Sequence, residues 1–348
     1  MQIESLIADA AQGRASDIHL ICGLPPKVRV DGQLVSLYPE VLTDADCEEL
    51  ARELAGSSYE QIEEIGELDF ARSIAGERIR VNLFRQQGHV SAALRILSNH
   101  IPALGSLGLP KAVSDFARYQ RGIVLVTGET GSGKSTTLAA ILNEINHTRS
   151  EHIITLEDPI EYIYEPDQCI INQREIGTDT ISYADGLRAT LREDPDIILI
   201  GEIRDAETMD TAMTAAETGH LVFATLHTNS AVESVDRIVG TFPADKQPQI
   251  RMQLSTTIQA VLSQQLLPRR GGGRVAACEC MIATPAIRNL IREGRTPQMA
   301  SSMLTGAEQG SVTMDNCLVT MAMDGTIAFE TALDNAHDRD YVQKKLRF

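Results

Sequence analysis

The sequence predicts a two-part α/β protein, and three observations carry that prediction. Four continuous apolar runs, "GIVLVTG", "HIITLED", "IILIGEI" and "LVFATLH", lie between residues 122 and 227. Strands apolar on both faces belong in a parallel sheet covered by helices on both sides. The stretches between these runs are long enough for the crossover helices that parallel neighbours need. The first ~97 residues alternate polar and apolar over short segments instead, as an antiparallel sheet with one wet face does. Between the two regions, "SNHIPALGSLGLP" breaks every periodicity with two prolines and two glycines. The expected boundaries are a small N-terminal α/β domain at 1–98, a linker at 99–111 and a nucleotide-binding domain at 112–348.

Within the first domain, "SDIHLIC" alternates as a strand, and "KVRVDGQLVSL" reads as a hairpin turning at Asp31-Gly32. "DADCEELARELAG" places Leu50 and Leu54 on one helical face. "ELDFARSI", "ERIRVNLFR" and "HVSAALRIL" read as three antiparallel strands joined by tight turns at Gly76 and Gly88. Residues 246–348 read as mostly helical, broken at "PRRGGGR".

Composition narrows the classes of function. With 43% hydrophobic and 23% charged residues, the chain has the balance of a globular protein. No apolar run approaches the roughly 20 residues that span a bilayer, and the N-terminus lacks an export pattern, so a cytoplasmic location is expected. A net charge of −17 disfavours nucleic acid as a stable partner. The six cysteines include no CxxC pair, and the spacing predicts reduced, packed thiols rather than a metal site.

The strongest motif is Gly128-Glu-Thr130-Gly131-Ser132-Gly133-Lys134-Ser135-Thr136, a GxxxxGK[ST] loop with a strand before it and a helix after it. Glycines let successive amides turn inward around phosphates, and the helix N-terminus adds its positive dipole end. Lys134 is placed to reach the outer phosphates, and the Ser135 hydroxyl to ligate Mg²⁺. ATP with Mg²⁺ is therefore the expected ligand, and no NKxD element points to guanine.

Two further strands end in acids. "TLEDPIEY" stops at Glu157 and Asp158 before Pro159, and "DPDIILIGEIRD" ends its apolar run in a glycine and Glu202. In open parallel sheets ligands sit outside the carboxyl ends of the strands. Glu202 fits the Walker B acid that holds Mg²⁺, which leaves Glu157 to orient the attacking water. "TGHLVFATLHTNSA" ends a third strand at His227, placed to sense the terminal phosphate. Phosphoryl transfer often needs cations supplied in trans. Arg78, Arg80, Arg85 and Arg95 of the first domain are candidates among which periodicity does not choose.

In order and spacing, "TGETGSGKSTTLAAIL", "TLEDPIEY", "DPDIILIGEIRD" and "TGHLVFATLHTNSA" resemble the phosphate-loop, Asp-box, Walker B and His-box segments of the secretion ATPase superfamily of type II secretion and type IV pili. "ASDIHL", "PPKVRVDG" and "RIRVNLF" resemble that superfamily's N-terminal domain, so the likeness covers essentially the whole chain. Within the superfamily the sequence is most similar to the pilus-retraction branch. It starts directly at the "SDIHL" domain, lacks paired CxxC motifs, and carries "AIRNLIREGRTPQM" at 286–299. There Ile287, Leu290 and Ile291 form an apolar stripe, while Arg288, Arg292 and Arg295 are expected to project away. One departure is "ACECM", where relatives carry an aliphatic residue at the second cysteine.

The resemblance implies a PAS-like domain joined to a RecA-like ATPase domain with a helical C-terminal region. It implies a homo-hexameric ring with ATP sites between subunits, acting on an inner-membrane pilus platform protein and reaching the membrane only through it. Glu157, Glu202, His227, Lys134 and Ser135 match functional positions of the family, and Arg80 and Arg95 match first-domain arginines that reach the nucleotide.

Overall fold

A computed structural model of the chain describes residues 2–30, 32–97 and 100–347. Asp31 of the expected turn, and Ser98 and Asn99 at the expected boundary, lie outside the described residues. The chain divides into two compact units: Met1–His100 with Pro159–Ile163, and Ile101–Asp158 with Tyr164–Phe348.

The first unit holds helix α1 (Ile3–Gln12), strands β1 (Asp17–Leu20), β2 (Lys27–Val30) and β3 (Gln33–Ser36), helices α2 (Asp44–Ala55) and α3 (Glu60–Ile65), and strands β4 (Glu67–Ile74), β5 (Glu77–Gln86) and β6 (His89–Leu97). The six strands form one antiparallel sheet in the order β3-β2-β1-β6-β5-β4. Alternation decides its faces: Ile79, Val81 and Leu83 of β5 are fully buried, whereas Arg78, Arg80 and Asn82 between them are not. The apolar face meets Leu6 and Ile7 of α1 and Leu50 and Leu54 of α2. Both turns flanking β5 have two central residues at positive φ, Ala75-Gly76 and Gln87-Gly88, the geometry that matches the right-handed strand twist. Thr43 caps α2 reciprocally, its Oγ1 accepting from the Asp46 amide while the Asp46 carboxylate accepts from the Thr43 amide.

The second unit is built on β7 (Gly122–Thr127), α4 (Lys134–Thr148), β8 (His152–Glu157), β9 (Ile170–Glu175), α5 (Tyr183–Thr190), β10 (Ile197–Ile200), α6 (Ala206–Glu217), β11 (Leu221–Leu226), α7 (Ala231–Gly240), α8 (Gln247–Thr257), β12 (Ile258–Pro268) and β13 (Arg274–Ile282). Helices α9 (Pro285–Glu293), α10 (Met299–Thr305), α11 (Met314–Met323), α12 (Phe329–Asp334) and α13 (Arg339–Leu346) follow. Its seven-stranded sheet has the order β13-β12-β7-β11-β10-β8-β9, parallel except for β13. Every residue of β7, β10 and β11 is buried, as the unbroken apolar runs required. Residues 258–282 correct the expectation of a helical region from 246 onward. They form a hairpin that extends the sheet, turning where Gly271, Gly272 and Gly273 all adopt positive φ. "PRRGGGR" is that turn rather than a break between helices.

Glu279 on β13 shows how the late helices are fixed. Its carboxylate is 5% exposed and accepts from the first amides of two helices, Ala231 of α7 at 2.8 Å and Met314 of α11 at 3.3 Å. Burial raises its pKa despite those two bonds. Glu279→Ala orphans both amides and will lower the unfolding free energy by about 1–3 kcal/mol, read by urea titration. Glu279→Gln keeps an acceptor and will lose less. A carboxyl whose pKa is higher folded than unfolded contributes most stability below its unfolded pKa and loses it as pH rises toward the folded one. The stability of the wild type relative to Glu279→Gln will therefore fall as pH rises out of the acid range.

Candidate active site

The carboxyl ends of β7, β11, β10 and β8 lie along one edge of the second unit's sheet, and each delivers a residue expected from the sequence. The phosphate loop leaves β7 at Gly128, whose φ is +140°; a Cβ there would stand 2.3 Å from the Gln264 carbonyl oxygen. Only glycine fits. Gly131 and Gly133 also have positive φ, and Gly133 caps α4 in the left-handed region. Lys134 Nζ donates to the carbonyls of Gly128 at 2.7 Å and Glu129 at 2.9 Å, which holds its ammonium inside the curl. Ser132 Oγ is buried without a hydrogen-bond partner among the described residues. Such a group calls for an outside acceptor, and a phosphate oxygen suits it. Thr130 and Ser135 are exposed beside the loop, and Thr136 is half-buried.

A cavity of about 820 Å³ adjoins the loop, within the size range of small-ligand sites. Ser132, Gly133 and Thr136 line it together with Leu266, Arg269 and Arg274 of the β12–β13 hairpin. Sequence reasoning misses these two arginines because "PRRGGGR" reads as a break between helices. Three consecutive glycines between two largely apolar segments were the hairpin signal.

Next to the loop, the His227 imidazole beyond β11 and the Glu202 carboxylate beyond β10 meet at 3.0 Å, His227 Nε2 to Glu202 Oε1. Arg204 Nη2 takes the other Glu202 oxygen at 2.7 Å. Burial pushes the Glu202 carboxyl up, but the hydrogen bond and charge of Arg204 and the charge of His227 outweigh it and hold the pKa below the usual range. Glu202 is thus a carboxylate at neutral pH. Gly201 permits the close approach of β10 to β8: its amide donates to the Leu156 carbonyl at 2.8 Å, and a Cβ would stand 2.9 Å from the Tyr183 hydroxyl. The Tyr183 phenol, half-buried beside Asp158 and Glu202, has a pKa raised well above normal by that burial. Neither Tyr183 nor Arg204 was singled out from the sequence, and only the folded sheet brings them to the acids.

Glu157 ends β8, three strands from β7, and is 8% exposed. Its Oε1 accepts from Thr155 Oγ1 at 2.6 Å and from Gln173 Nε2 of β9 at 3.1 Å. Of the two acids, Glu202 lies nearer the phosphate loop in the strand order.

In the first unit, Arg80 and Arg95 are direct cross-strand partners of β5 and β6. Arg80 forms a two-point bond to Asp69, at 2.6 and 3.3 Å. Arg95 Nε donates to Asp17 at 3.1 Å. Arg78 donates instead to the Ile160 carbonyl, at 3.1 and 3.0 Å. Arg288 corrects the expected outward projection from α9: its guanidinium turns back to the carbonyls of Ala283, Ser255 and Thr256 and to Gln259 Oε1. Burial lowers its pKa accordingly. Ile287 and Ile291 form the buried stripe as expected.

The family model described as type II/IV secretion system protein matches residues 74–333. The chain belongs to that family. It is 46% identical to the type IV pilus retractation ATPase PilT of Pseudomonas aeruginosa over 338 residues, covering 97% of this chain and 98% of that protein. It is 48% identical over 276 residues to a twitching motility protein of Neisseria gonorrhoeae, covering 79% of this chain and 74% of that one. The crystal structure of the pilus retraction motor PilT with bound ADP superposes with a TM-score of 0.94 at 46% identity, across 99% of both chains. The two-domain secretion ATPase fold of this family member is thereby established, and among the described residues no helix is long and apolar enough to cross a membrane.

Proposed function

We propose that this chain is the subunit of an ATP-hydrolysing motor that retracts a type IV pilus. The observation that carries the reading is end-to-end likeness to a retraction ATPase, 46% identity over 97% of the chain, with the phosphate loop and the Glu202–His227 pair on one sheet edge. The loop amides, Lys134 and the Ser132 hydroxyl bind the phosphates of ATP. Ser135 and Glu202 would hold Mg²⁺, and their hydroxyl and carboxylate oxygens suit a hard cation. When bound, that ion would offset the charge that gathers on the phosphates.

Glu202 presents its negative charge toward the phosphate end of the site, with His227 beside it as the group that registers the γ-phosphate. Glu157 is the buried companion acid, held by Thr155 and Gln173 and available to orient water. Arg80 and Arg95 supply positive charge to a neighbour's nucleotide in a homo-hexameric ring. Domain motion about a linker at 99–111 then passes to a platform protein of the inner membrane, and the chain works at the cytoplasmic base of the pilus machine.

Deletion of the gene tests the direction of force. Loss of retraction will leave cells with excess surface pili and no twitching, and the wild-type gene, but not Lys134→Ala, will restore movement. Bald cells would point to assembly instead.

A further inference from the structure

Cys22, Asp44 and His89 each bring one metal-ligating atom within 4.8 Å of the others, although they are separated by 22 and 45 residues in sequence. The cluster lies wholly in the first unit, whereas the phosphate loop, Glu157, Glu202 and His227 belong to the second. We propose that it is a Zn²⁺-binding site.

The backbone fixes all three ligands. Cys22 occupies the second position of a tight turn in which the Leu24 amide bonds the Ile21 carbonyl and Gly23 adopts φ +84°. That turn is pinned to the chain just before α2: the Gly23 amide donates to the Leu42 carbonyl at 2.9 Å, and the Leu42 amide to the Leu24 carbonyl at 3.0 Å. Asp44 is the first residue of α2, directly after the Thr43 cap. His89 opens β6, paired with Gln86 across the two-residue turn. Three segments far apart in sequence thus arrive through rigid local geometry.

The donor set selects the metal. A thiolate, an imidazole and a carboxylate together suit Zn²⁺, whereas Mg²⁺ and Ca²⁺ prefer oxygen alone. With Zn–N and Zn–O of about 2.0 Å and Zn–S of about 2.3 Å, the ligand atoms of a tetrahedral site stand roughly 3.3–3.6 Å apart. His89 Nδ1 and Asp44 Oδ1 are already in contact at 2.6 Å, and Zn²⁺ entering between them replaces that hydrogen bond. Water completes the fourth position. Thiolate and carboxylate carry two negative charges against the ion's two positive ones. The positive end of α2 opposes a cation with only about half a charge, and Asp46 in the same turn offsets it. Bound zinc ties the β1–β2 turn, the start of α2 and the β5–β6 turn together. The scattered cysteine spacing could not reveal this, because each ligand comes from a different segment.

The test uses the full-length, reduced, chelator-stripped protein without nucleotide, and Co²⁺ or Zn²⁺ alone as probe. Co²⁺ will bind with a thiolate-to-cobalt charge-transfer band that Zn²⁺ bleaches. Excess Zn²⁺ will slow alkylation of Cys22 by about tenfold or more, because the metal holds the thiolate. Cys317, the other partly exposed thiol, serves as internal control and will be unaffected. Cys22→Ser and His89→Asn will lose the band while melting like metal-free wild type. The absence of a charge-transfer band, its survival in Cys22→Ser, or equal alkylation of Cys22 with and without Zn²⁺ overturns the proposal. The alkylation measurement needs no variant, so a misfolded variant does not blunt the test.

Discussion

Glu202→Gln will reduce ATP turnover by about 10²-fold or more, the scale of a lost preorganised electrostatic contact at the reacting phosphates, and leave nucleotide affinity within severalfold. The argument starts from charge. Arg204 and His227 hold Glu202 as a carboxylate, so the amide removes a full negative charge from the sheet edge nearest the phosphate loop. If the amide nitrogen turns toward Arg204, the guanidinium there loses its acceptor. Binding should survive, because the phosphates are held by the loop and Lys134 rather than by an acid. Turnover and fluorescent-nucleotide affinity, measured side by side, separate the two. Glu157→Gln is the companion variant. Its amide oxygen can still accept from Thr155, so it will cost less than Glu202→Gln. If it costs more, orienting the attacking water at Glu157 limits turnover more than the charge at Glu202 does.

Much of this site was legible because its signals are local. A phosphate loop is one unbroken stretch, and each buried strand announces itself as an apolar run with a polar residue at its carboxyl end. The antiparallel strands of the first unit were equally plain, since alternation and the Gly76 and Gly88 turns define them within a residue or so. What failed was non-local. β12 and β13 read as helix because Gln264, Gln265 and Glu279 interrupt their apolar pattern, and only pairing across the Gly271–Gly273 turn makes them strands. Arg288's place on the helix wheel predicts that it projects away from the apolar stripe. Its four partners lie on α8, on β12 and at Ala283, and no helical period foretells them. Strand order was hidden as well. That Glu157 stands three strands from the loop and His227 one depends on how the crossovers fold, not on the motifs themselves.

Arg80→Ala and Arg95→Ala will lower the turnover of assembled protein by up to about 10³-fold, the scale of an arginine supplied in trans. The two guanidiniums lie side by side across β5 and β6, each paired with one acid of its own sheet, Asp69 or Asp17. The Arg80–Asp69 pair is about two-fifths exposed at both ends. Exposed pairs of this kind contribute roughly 0–1 kcal/mol, so exchanging the carboxylate for a phosphate costs little. Two consequences separate trans from cis action. Turnover per chain will rise steeply with protein concentration in the wild type, because a lone subunit has no neighbour's arginine. Mixing Lys134→Ala with Arg80→Ala, each inactive alone, will restore turnover, because some junctions then join an intact phosphate loop to an intact arginine. A cis arginine gives neither result: the rate per chain stays flat on dilution, and the mixture stays inactive, since every chain then lacks either its loop lysine or its own arginine.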